Sequence, residues 1–200
     1  RSSDLVAMPI HNSHFNTVVL LCEVDLNCKI ILRNIEKLKV AAKHWIDLSK
    51  GIDDGGKAPP IDIVTDCFAC LTAAASIARL LYLGDRKGKK AARIQQRCNL
   101  LMHELGSPSI SALNSIRVRN SWEHLDERLD DLLATQTCRS HSEIHVSPNP
   151  PGQGTFVSRH FDPNTLEIKF AGDVFSLGPV AEEALLLSER VNAALVRMNS

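Results

Sequence analysis

The feature that most constrains the fold is a helical periodicity in the first quarter of the chain. Between Asn16 and Leu48 apolar residues recur in steps of three and four, at Leu20, Val24, Cys28, Ile31, Ile35, Leu38, Ala42 and Trp45. Charged residues such as Glu23, Lys29 and Arg33 occupy the other faces. The pattern predicts one long amphipathic helix, and its apolar stripe requires partner helices to cover it.

Three further segments supply those partners. Ile61 to Leu83 is apolar on nearly every side, so we expect it to be the most buried helix of a bundle. Ala91 to Leu105 and about Ser109 to Thr135 have the periodicity of a third and a fourth helix. Short connections such as Gly51 to Pro60 favour antiparallel neighbours, so the predicted fold class is mainly α, an up-and-down four-helix bundle.

The pattern changes period after Gly154. Three short segments with turn residues between them predict a small antiparallel β-meander: Thr155–Phe161, Leu166–Phe170 and Val174–Leu177. Val180 to Met198 then reads as a closing helix, with Ala181, Leu185, Val191, Leu195 and Met198 available for packing. Cys138 to Gly154 is rich in Ser, His, Pro and Gly and is predicted to be a mobile connector. We therefore expect a helical bundle over 1–140, with the meander and closing helix of 141–200 packed on the same domain.

Composition excludes several classes of protein. Hydrophobic residues make up 44% and charged residues 23% of the chain, which is typical of a globular domain. The 23 Lys and Arg residues balance the 23 Asp and Glu residues, so any contact with nucleic acid must be local. The six cysteines lie mostly in apolar helical patterns, which predicts reduced thiols in a cytoplasmic protein. The longest uncharged apolar stretch, Cys67 to Ala78, is shorter than a membrane span, and no signal peptide is visible, so no membrane partner is expected.

Several possible sites have a simpler explanation. Six cations within twelve positions mark a solvated helix start or a phosphate-contacting patch: Arg86, Lys87, Lys89, Lys90, Arg93 and Arg97. Cys67 and Cys70 lack the second pair that a structural zinc site requires. Cys138, His141 and His145 are close enough in sequence to remain an alternative metal site. The leading expectation is that the protein uses no metal and no cofactor.

One segment combines residue types that suit catalysis. The predicted fourth helix contains Ile116-Arg-Val-Arg-Asn-Ser-Trp-Glu-His-Leu-Asp-Glu-Arg-Leu-Asp130. Arg119, Asn120 and His124 in this segment resemble the signature of HEPN proteins, a superfamily of small helical bundles that includes many ribonucleases. In that signature four to six residues separate an Arg, often followed by Asn, from a His. The same spacing without the Asn occurs in three other pairs: Arg117 with His124, Arg97 with His103 and Arg139 with His145. The resemblance covers about Asn16 to Thr135, and its specific part is about a dozen residues.

Helical geometry and the resemblance favour different arginines. On a regular helix Arg117 and His124 are about 20° apart, whereas Arg119 and His124 are about 140° apart. Geometry therefore groups Arg117, Asn120 and His124 on one polar face. The resemblance favours Arg119, which could still reach the site from the first turn of the helix or meet the His of a partner subunit. We rank Arg119 first and Arg117 second.

These residue types suit cleavage of RNA without metal. An imidazole such as that of His124 can act as general base or acid near neutral pH. The guanidinium of Arg119 or Arg117 can stabilise the charge that develops on phosphate oxygens, and Asn120 can bind substrate or orient the Arg. The resemblance implies a homodimer with the site at its interface, RNA as substrate, and a role in bacterial defence or as a toxin controlled by an antitoxin or other partner protein. HEPN toxins modified by a partner nucleotidyltransferase have a Tyr two residues after the His, where this chain has Asp126.

Two other interpretations stay open. The first is that the segment is an ordinary charged helix face, its arginines paired with acidic neighbours: Arg117, Arg119 and Arg128 with Glu123, Glu127 and Asp131. The second is a non-catalytic HEPN-like module that binds a nucleotide or a partner protein without turnover. An RNA cleavage assay distinguishes both interpretations from a ribonuclease, because neither of them predicts cleavage.

Overall fold

The protein is mainly helical with a small mixed sheet. A computed structural model describes residues 13–51, 60–82, 88–114, 130, 134, 140–149, 155–170 and 173–200. Within them the long helices are α1 (Ser13–Ser49), α2 (Pro60–Leu81), α3 (Lys89–Glu104) and α4 (Leu177–Asn199). The strands are β1 (Ser140–Val146), β2 (Thr155–Asp162), β3 (Glu167–Phe170) and β4 (Asp173–Ser176). Helices α1, α2, α3 and α4 and strands β2 to β4 confirm the predicted elements to within a few residues.

Helix α1 is the centre of the fold, because α2 and α4 both pack against it. Its buried stripe is the predicted one from Val24 to Ala42, but Leu21 rather than Leu20 is fully buried, and Trp45 is only partly buried. Helices α1 and α2 are antiparallel: Lys37 lies 3.1 Å from Asp66, and the Cys70 thiol lies 3.8 Å from the Ile31 carbonyl oxygen. On the other side, Ser188 of α4 donates a 2.6 Å hydrogen bond to the buried carboxylate of Asp25 in α1.

Helix α2 has a larger share of buried residues than α1, α3 or α4, as its sequence predicts. It nevertheless exposes Ile61 and Phe68, whose relative exposures are 59% and 40%, so it is not buried on every side. By length and composition the segment Ile61–Leu81 also passes a test for membrane spans, with a mean hydropathy of 1.6, although half of the tested window is buried inside the fold. This is weak support for a span, since the core helix of a soluble protein passes the same test.

The sheet has the order β1-β2-β3-β4. Strands β2, β3 and β4 form the predicted antiparallel meander, but β1 pairs parallel to β2. The sheet is therefore mixed, and the prediction of a connector without regular structure was wrong over Ser140–Val146. Ile144 and Val146 supply the only aliphatic alternation in β1, which is too short a signal to identify a strand.

One apolar core joins the sheet to the helices. Phe161, Ile168 and Phe175 lie opposite one another on β2, β3 and β4, and all three are buried. They belong to the same cluster of buried residues as α1, α2 and α4. The sheet thus closes one side of the helical layer.

Helix α4 differs from its prediction in its first residue and in part of its buried face. It begins at Leu177, and Pro179 lies in its first turn, where a missing N–H leaves no helical hydrogen bond unmade. Its buried residues are Leu177, Val180, Ala184, Leu187, Ser188, Val191 and Ala194. Leu185, predicted to pack inward, is exposed, while Ala181, Leu195 and Met198 are partly buried against the core.

Candidate functional site

The predicted catalytic residues Arg117, Arg119, Asn120 and His124 lie outside the described residues. The structure describes the chain up to Asn114 and then the single helical positions Asp130 and Ala134. The structure describes the path of the chain from the end of α3 to Asn114, five residues before Arg119.

Helix α3 ends in a compact turn at Gly106. The Gly106 N–H donates to the His103 carbonyl at 3.1 Å, and the Ser107 N–H donates to the Met102 carbonyl at 2.7 Å. This pair of hydrogen bonds is the Schellman arrangement, which requires a left-handed residue after the helix. Gly106 fills that position with φ of 67°, and Ser107 also has a positive φ of 49°. The turn reverses the chain directly after α3.

Two arginines of α4 bind the carbonyl end of this turn. Arg190 donates from Nη1 to the carbonyl oxygens of Leu105 at 2.8 Å and Gly106 at 2.9 Å. Arg197 donates from Nη2 to the Glu104 carbonyl at 2.8 Å. The carbonyls at the end of a helix carry partial negative charge, so cationic side chains stabilise them. Both guanidinium groups therefore attach the end of α3 to α4.

A carboxylate of α4 binds the segment that leads into the motif. Glu183 accepts hydrogen bonds from the N–H groups of Ala112 at 3.0 Å and Leu113 at 2.9 Å, and from the Ser111 hydroxyl at 3.2 Å. The Asn114 N–H donates to the Ile110 carbonyl at 3.2 Å, which closes a single turn. Glu183 thus supplies from a distant part of the chain the acceptor that an N-cap residue usually provides.

This arrangement corrects the predicted start of the fourth helix. Residues 109–114 are not α-helical: 107–110 have no regular structure and 111–114 form a turn. Pro108, Ile110 and Leu113 are buried, so the connection is packed against the protein rather than exposed. The chain therefore reaches Asn114 in a position that is fixed by both apolar packing and charged side chains of α4.

The pair Arg97 and His103 has the predicted spacing but is not a site. Arg97 is half-buried and donates to the Arg79 carbonyl at 2.6 Å, which ties α3 to α2. The His103 side chain is 85% exposed, and its Nδ1 lies 3.6 Å from Glu104. Of the six clustered cations, Arg93 is exposed and Arg97 has this structural role, while the side chains of the other four lie outside the described residues.

The alternative metal site includes residues that the structure describes only in part. Cys138 and the side chain of His141 lie outside the described residues. His145 lies beside His160, with ring centroids 5.1 Å apart, a neighbour that sequence reasoning did not identify. Their Nε2 atoms lie 3.3 Å from the Asn149 carbonyl and 2.8 Å from the Ser147 carbonyl. In the described part of the chain, no three His, Cys, Asp or Glu side chains are grouped to hold a metal ion.

The described cysteines are free thiols, and most are buried. Burial raises the pKa of Cys28 and of Cys70 to about 12, with a smaller contribution from a nearby aspartate in each case. Burial also raises the pKa of Cys67. A high pKa keeps a thiol protonated and unreactive, so these side chains act as packing groups. Cys22 is the exposed cysteine among the described residues.

Comparison of the chain with known protein families, curated proteins and solved structures found no match.

Proposed function

We propose that the protein is a cytoplasmic, metal-independent endoribonuclease with a HEPN-like bundle. The observation that carries the proposal is the sequence Arg119-Asn120-x3-His124, which begins five residues after Asn114, the last described residue of an anchored connection. Glu183 and the buried residues Ile110 and Leu113 hold that connection on α4. An anchored connection fixes the point from which the chain continues towards the motif, and a defined position of catalytic groups is what the proposed chemistry requires.

In the proposed reaction His124 removes the proton from the ribose 2′-hydroxyl. The 2′-oxygen attacks the adjacent phosphorus, the bond from phosphorus to the 5′-oxygen breaks, and a protonated acid donates a proton to that leaving oxygen. The products are a 2′,3′-cyclic phosphate and a 5′-hydroxyl. Arg119, with Arg117 as second candidate, stabilises the extra negative charge on the phosphorane oxygens, and Asn120 orients the Arg or the substrate.

The proposal includes a homodimer. The chain has no net charge, so a single copy provides little long-range attraction for RNA. Two copies that face each other across a two-fold axis would bring both sets of Arg117, Arg119 and His124 to one cleft. RNA is then the substrate, and an antitoxin or other partner protein would act by covering that cleft.

The test is cleavage of RNA by the purified protein in EDTA. We expect the wild type to cut, and His124→Ala and Arg119→Ala to lose at least about a hundredfold in rate, the usual contribution of a general base. His103→Ala and Arg33→Ala are matched controls, since both replace exposed residues outside the motif and outside the cation cluster. Cleavage that persists in His124→Ala and Arg119→Ala would refute the mechanism. Absence of wild-type cleavage with retained binding would favour the non-catalytic module.

A further inference from the structure

Two histidines lie side by side on the polar face of the sheet. His145 of β1 and His160 of β2 are directly opposed in the parallel pair of strands. Both are on the face opposite Phe161, because successive residues of a strand point to opposite sides. The ring centroids are 5.1 Å apart and the rings are tilted by 58°, so the rings are close without being stacked. His160 is only 7% exposed, so the pair is partly enclosed by the protein.

Backbone carbonyls hold both rings by the same nitrogen. His160 Nε2 donates to the Ser147 carbonyl at 2.8 Å, and His145 Nε2 donates to the Asn149 carbonyl at 3.3 Å. A carbonyl oxygen only accepts, so Nε2 carries the hydrogen in each ring, and Nδ1 of the neutral ring has a free lone pair. The turn that carries these carbonyls is itself fixed, because the Ser147 N–H donates to the Phe161 carbonyl and the Asn149 N–H donates to the Ser147 hydroxyl.

This arrangement is typical of histidines that bind metal. A metal-bound imidazole usually donates its other N–H to a backbone carbonyl or a carboxylate, which fixes the tautomer and the orientation of the ring. The spacing of the rings agrees as well. With metal–nitrogen bonds of about 2.0–2.1 Å, two imidazoles on one tetrahedral ion have centroids about 5.2 Å apart. The observed separation of 5.1 Å matches this value.

The charges on this face of the sheet favour a cation. Lys169 of β3 is opposite His160, and its Nζ lies 3.5 Å from Glu167 and 3.9 Å from Asp162. The described charged side chains of the face are therefore two carboxylates and one ammonium, with a net charge of −1 while both imidazoles are neutral. An anion such as phosphate fits less well, because it requires donors and both Nε2–H groups are already bonded to carbonyls.

We propose that His145 and His160 together bind one divalent transition-metal ion through their Nδ1 atoms. Imidazole ligands suit Zn²⁺, Cu²⁺ and Ni²⁺, whereas Mg²⁺ and Ca²⁺ take oxygen ligands. The described part of the chain contains no group of three metal-binding side chains, so water fills the other positions of this two-histidine site. The site shares only His145 with the alternative set of Cys138, His141 and His145. It does not involve His124, so the inference does not depend on the ribonuclease proposal.

Nuclear magnetic resonance of the imidazole nitrogens tests the site in the wild-type full chain, with Zn²⁺ alone as the probe. We expect one equivalent of Zn²⁺ to shift the Nδ1 signals of both His145 and His160. The signals of His103, whose side chain is 85% exposed on α3, should not change. A shift of only one of the pair, a shift of Nε2 in place of Nδ1, or no shift in a large excess of Zn²⁺ would overturn the inference.

Competition with a zinc-binding dye measures the affinity of variants. We expect His145→Asn and His160→Asn each to weaken Zn²⁺ binding at least about tenfold, because each removes one of the two protein ligands. His103→Asn is the matched control and should bind Zn²⁺ as the wild type does. Because His160 is buried, circular dichroism checks that His160→Asn folds, and the half-buried His145 provides the test if that variant does not. Unchanged affinity in His145→Asn would contradict the site.

Two further variants separate this site from the alternative one. Cys138→Ser and His141→Asn should both retain the wild-type affinity for Zn²⁺. If either variant loses as much affinity as His145→Asn, the ion belongs to the alternative set and the pairing of His145 with His160 is wrong.

Discussion

The replacement of Glu183 by Ala is the perturbation that most directly tests how the connection at 111–113 is anchored to α4. The change removes the acceptor for the N–H groups of Ala112 and Leu113 and for the Ser111 hydroxyl. Loss of a helix-cap acceptor costs about 0.5–2 kcal/mol, and a hydrogen bond to a charged group contributes about 1.5–3 kcal/mol. Because Glu183 is only half-buried, water replaces part of the loss, and we expect destabilisation of about 2 kcal/mol.

This destabilisation predicts changes in Tm and in local amide hydrogen exchange. For a chain of this size about 2 kcal/mol corresponds to a decrease in Tm of about 4–8 °C. If opening is local, amide hydrogen exchange at Ala112 and Leu113 should accelerate about thirtyfold. Glu183→Gln keeps one acceptor oxygen without the charge, so its effect should be about half as large. RNA cleavage by Glu183→Ala should also fall at a temperature where the protein remains folded, because the motif loses its support.

The matched control is Glu182→Ala, which removes an exposed carboxylate from the adjacent position of α4. Its Tm, exchange rates and cleavage rate should stay close to those of the wild type. If Glu183→Ala and Glu182→Ala behave alike, the carboxylate of Glu183 does not anchor the connection. If exchange accelerates across the whole protein and not at 112–113, the effect is global and the local account is wrong.

Three further predictions concern other parts of the chain. Burial, with a smaller effect from the Glu183 carboxylate, raises the pKa of Tyr82, the only Tyr in the chain. Its absorbance should therefore titrate above the ordinary pKa near 10. The contribution of this group to folding stability should be complete below pH about 10 and decline as the pH rises through the folded pKa. In a Cys138→Ser variant a thiol reagent should modify Cys22 quickly and the other cysteines only on unfolding, and reaction of more than one thiol in the native protein would contradict the burial argument. Gly106→Ala should destabilise the protein by about 1 kcal/mol, because Gly106 has a positive φ and its added Cβ would lie 3.3 Å from Arg190. Gly178→Ala should be neutral or stabilising, because its Cβ meets no atom within 4 Å. Equal denaturation midpoints of the two variants would refute that contrast.

The helical part of the fold could be predicted because its signal is local. The apolar stripe of α1 and the turn residues between β2, β3 and β4 act through neighbours in sequence. Strand β1 lacks such a signal. It pairs in parallel with β2, and only Ile144 and Val146 alternate as aliphatic residues within it. A pattern confined to two residues does not separate such a strand from a loop.

The hydrogen bonds that anchor the connection after α3 could not be predicted for a related reason. Glu183 caps residues that are 70–72 positions earlier in the chain, and Arg190 binds carbonyls 84–85 positions earlier. Both look like ordinary charged positions of an amphipathic helix. The burial of Asp25 and Ser188 was also not predictable from the sequence, because each residue is polar and is buried only through its hydrogen bond to the other. Long-range pairing of polar groups has no periodic signal.

The burial of α2 was predictable, but its exposed side chains were not. Ile61 to Leu81 is apolar on nearly every side, and such a helix predicts burial on all sides. The structure leaves Ile61 and Phe68 exposed. Hydropathy alone does not indicate which side of an apolar helix stays uncovered.

The chemistry of the cleaved ends tests the central proposal most directly. The wild-type protein in EDTA should convert an RNA oligonucleotide to fragments that end in a 2′,3′-cyclic phosphate and begin with a 5′-hydroxyl. A single 2′-deoxy substitution at the cut site should abolish cleavage there, and His124→Ala should abolish it everywhere. Cleavage of the 2′-deoxy substrate, fragments that end in a 3′-hydroxyl, or an unchanged rate in His124→Ala would contradict the proposal.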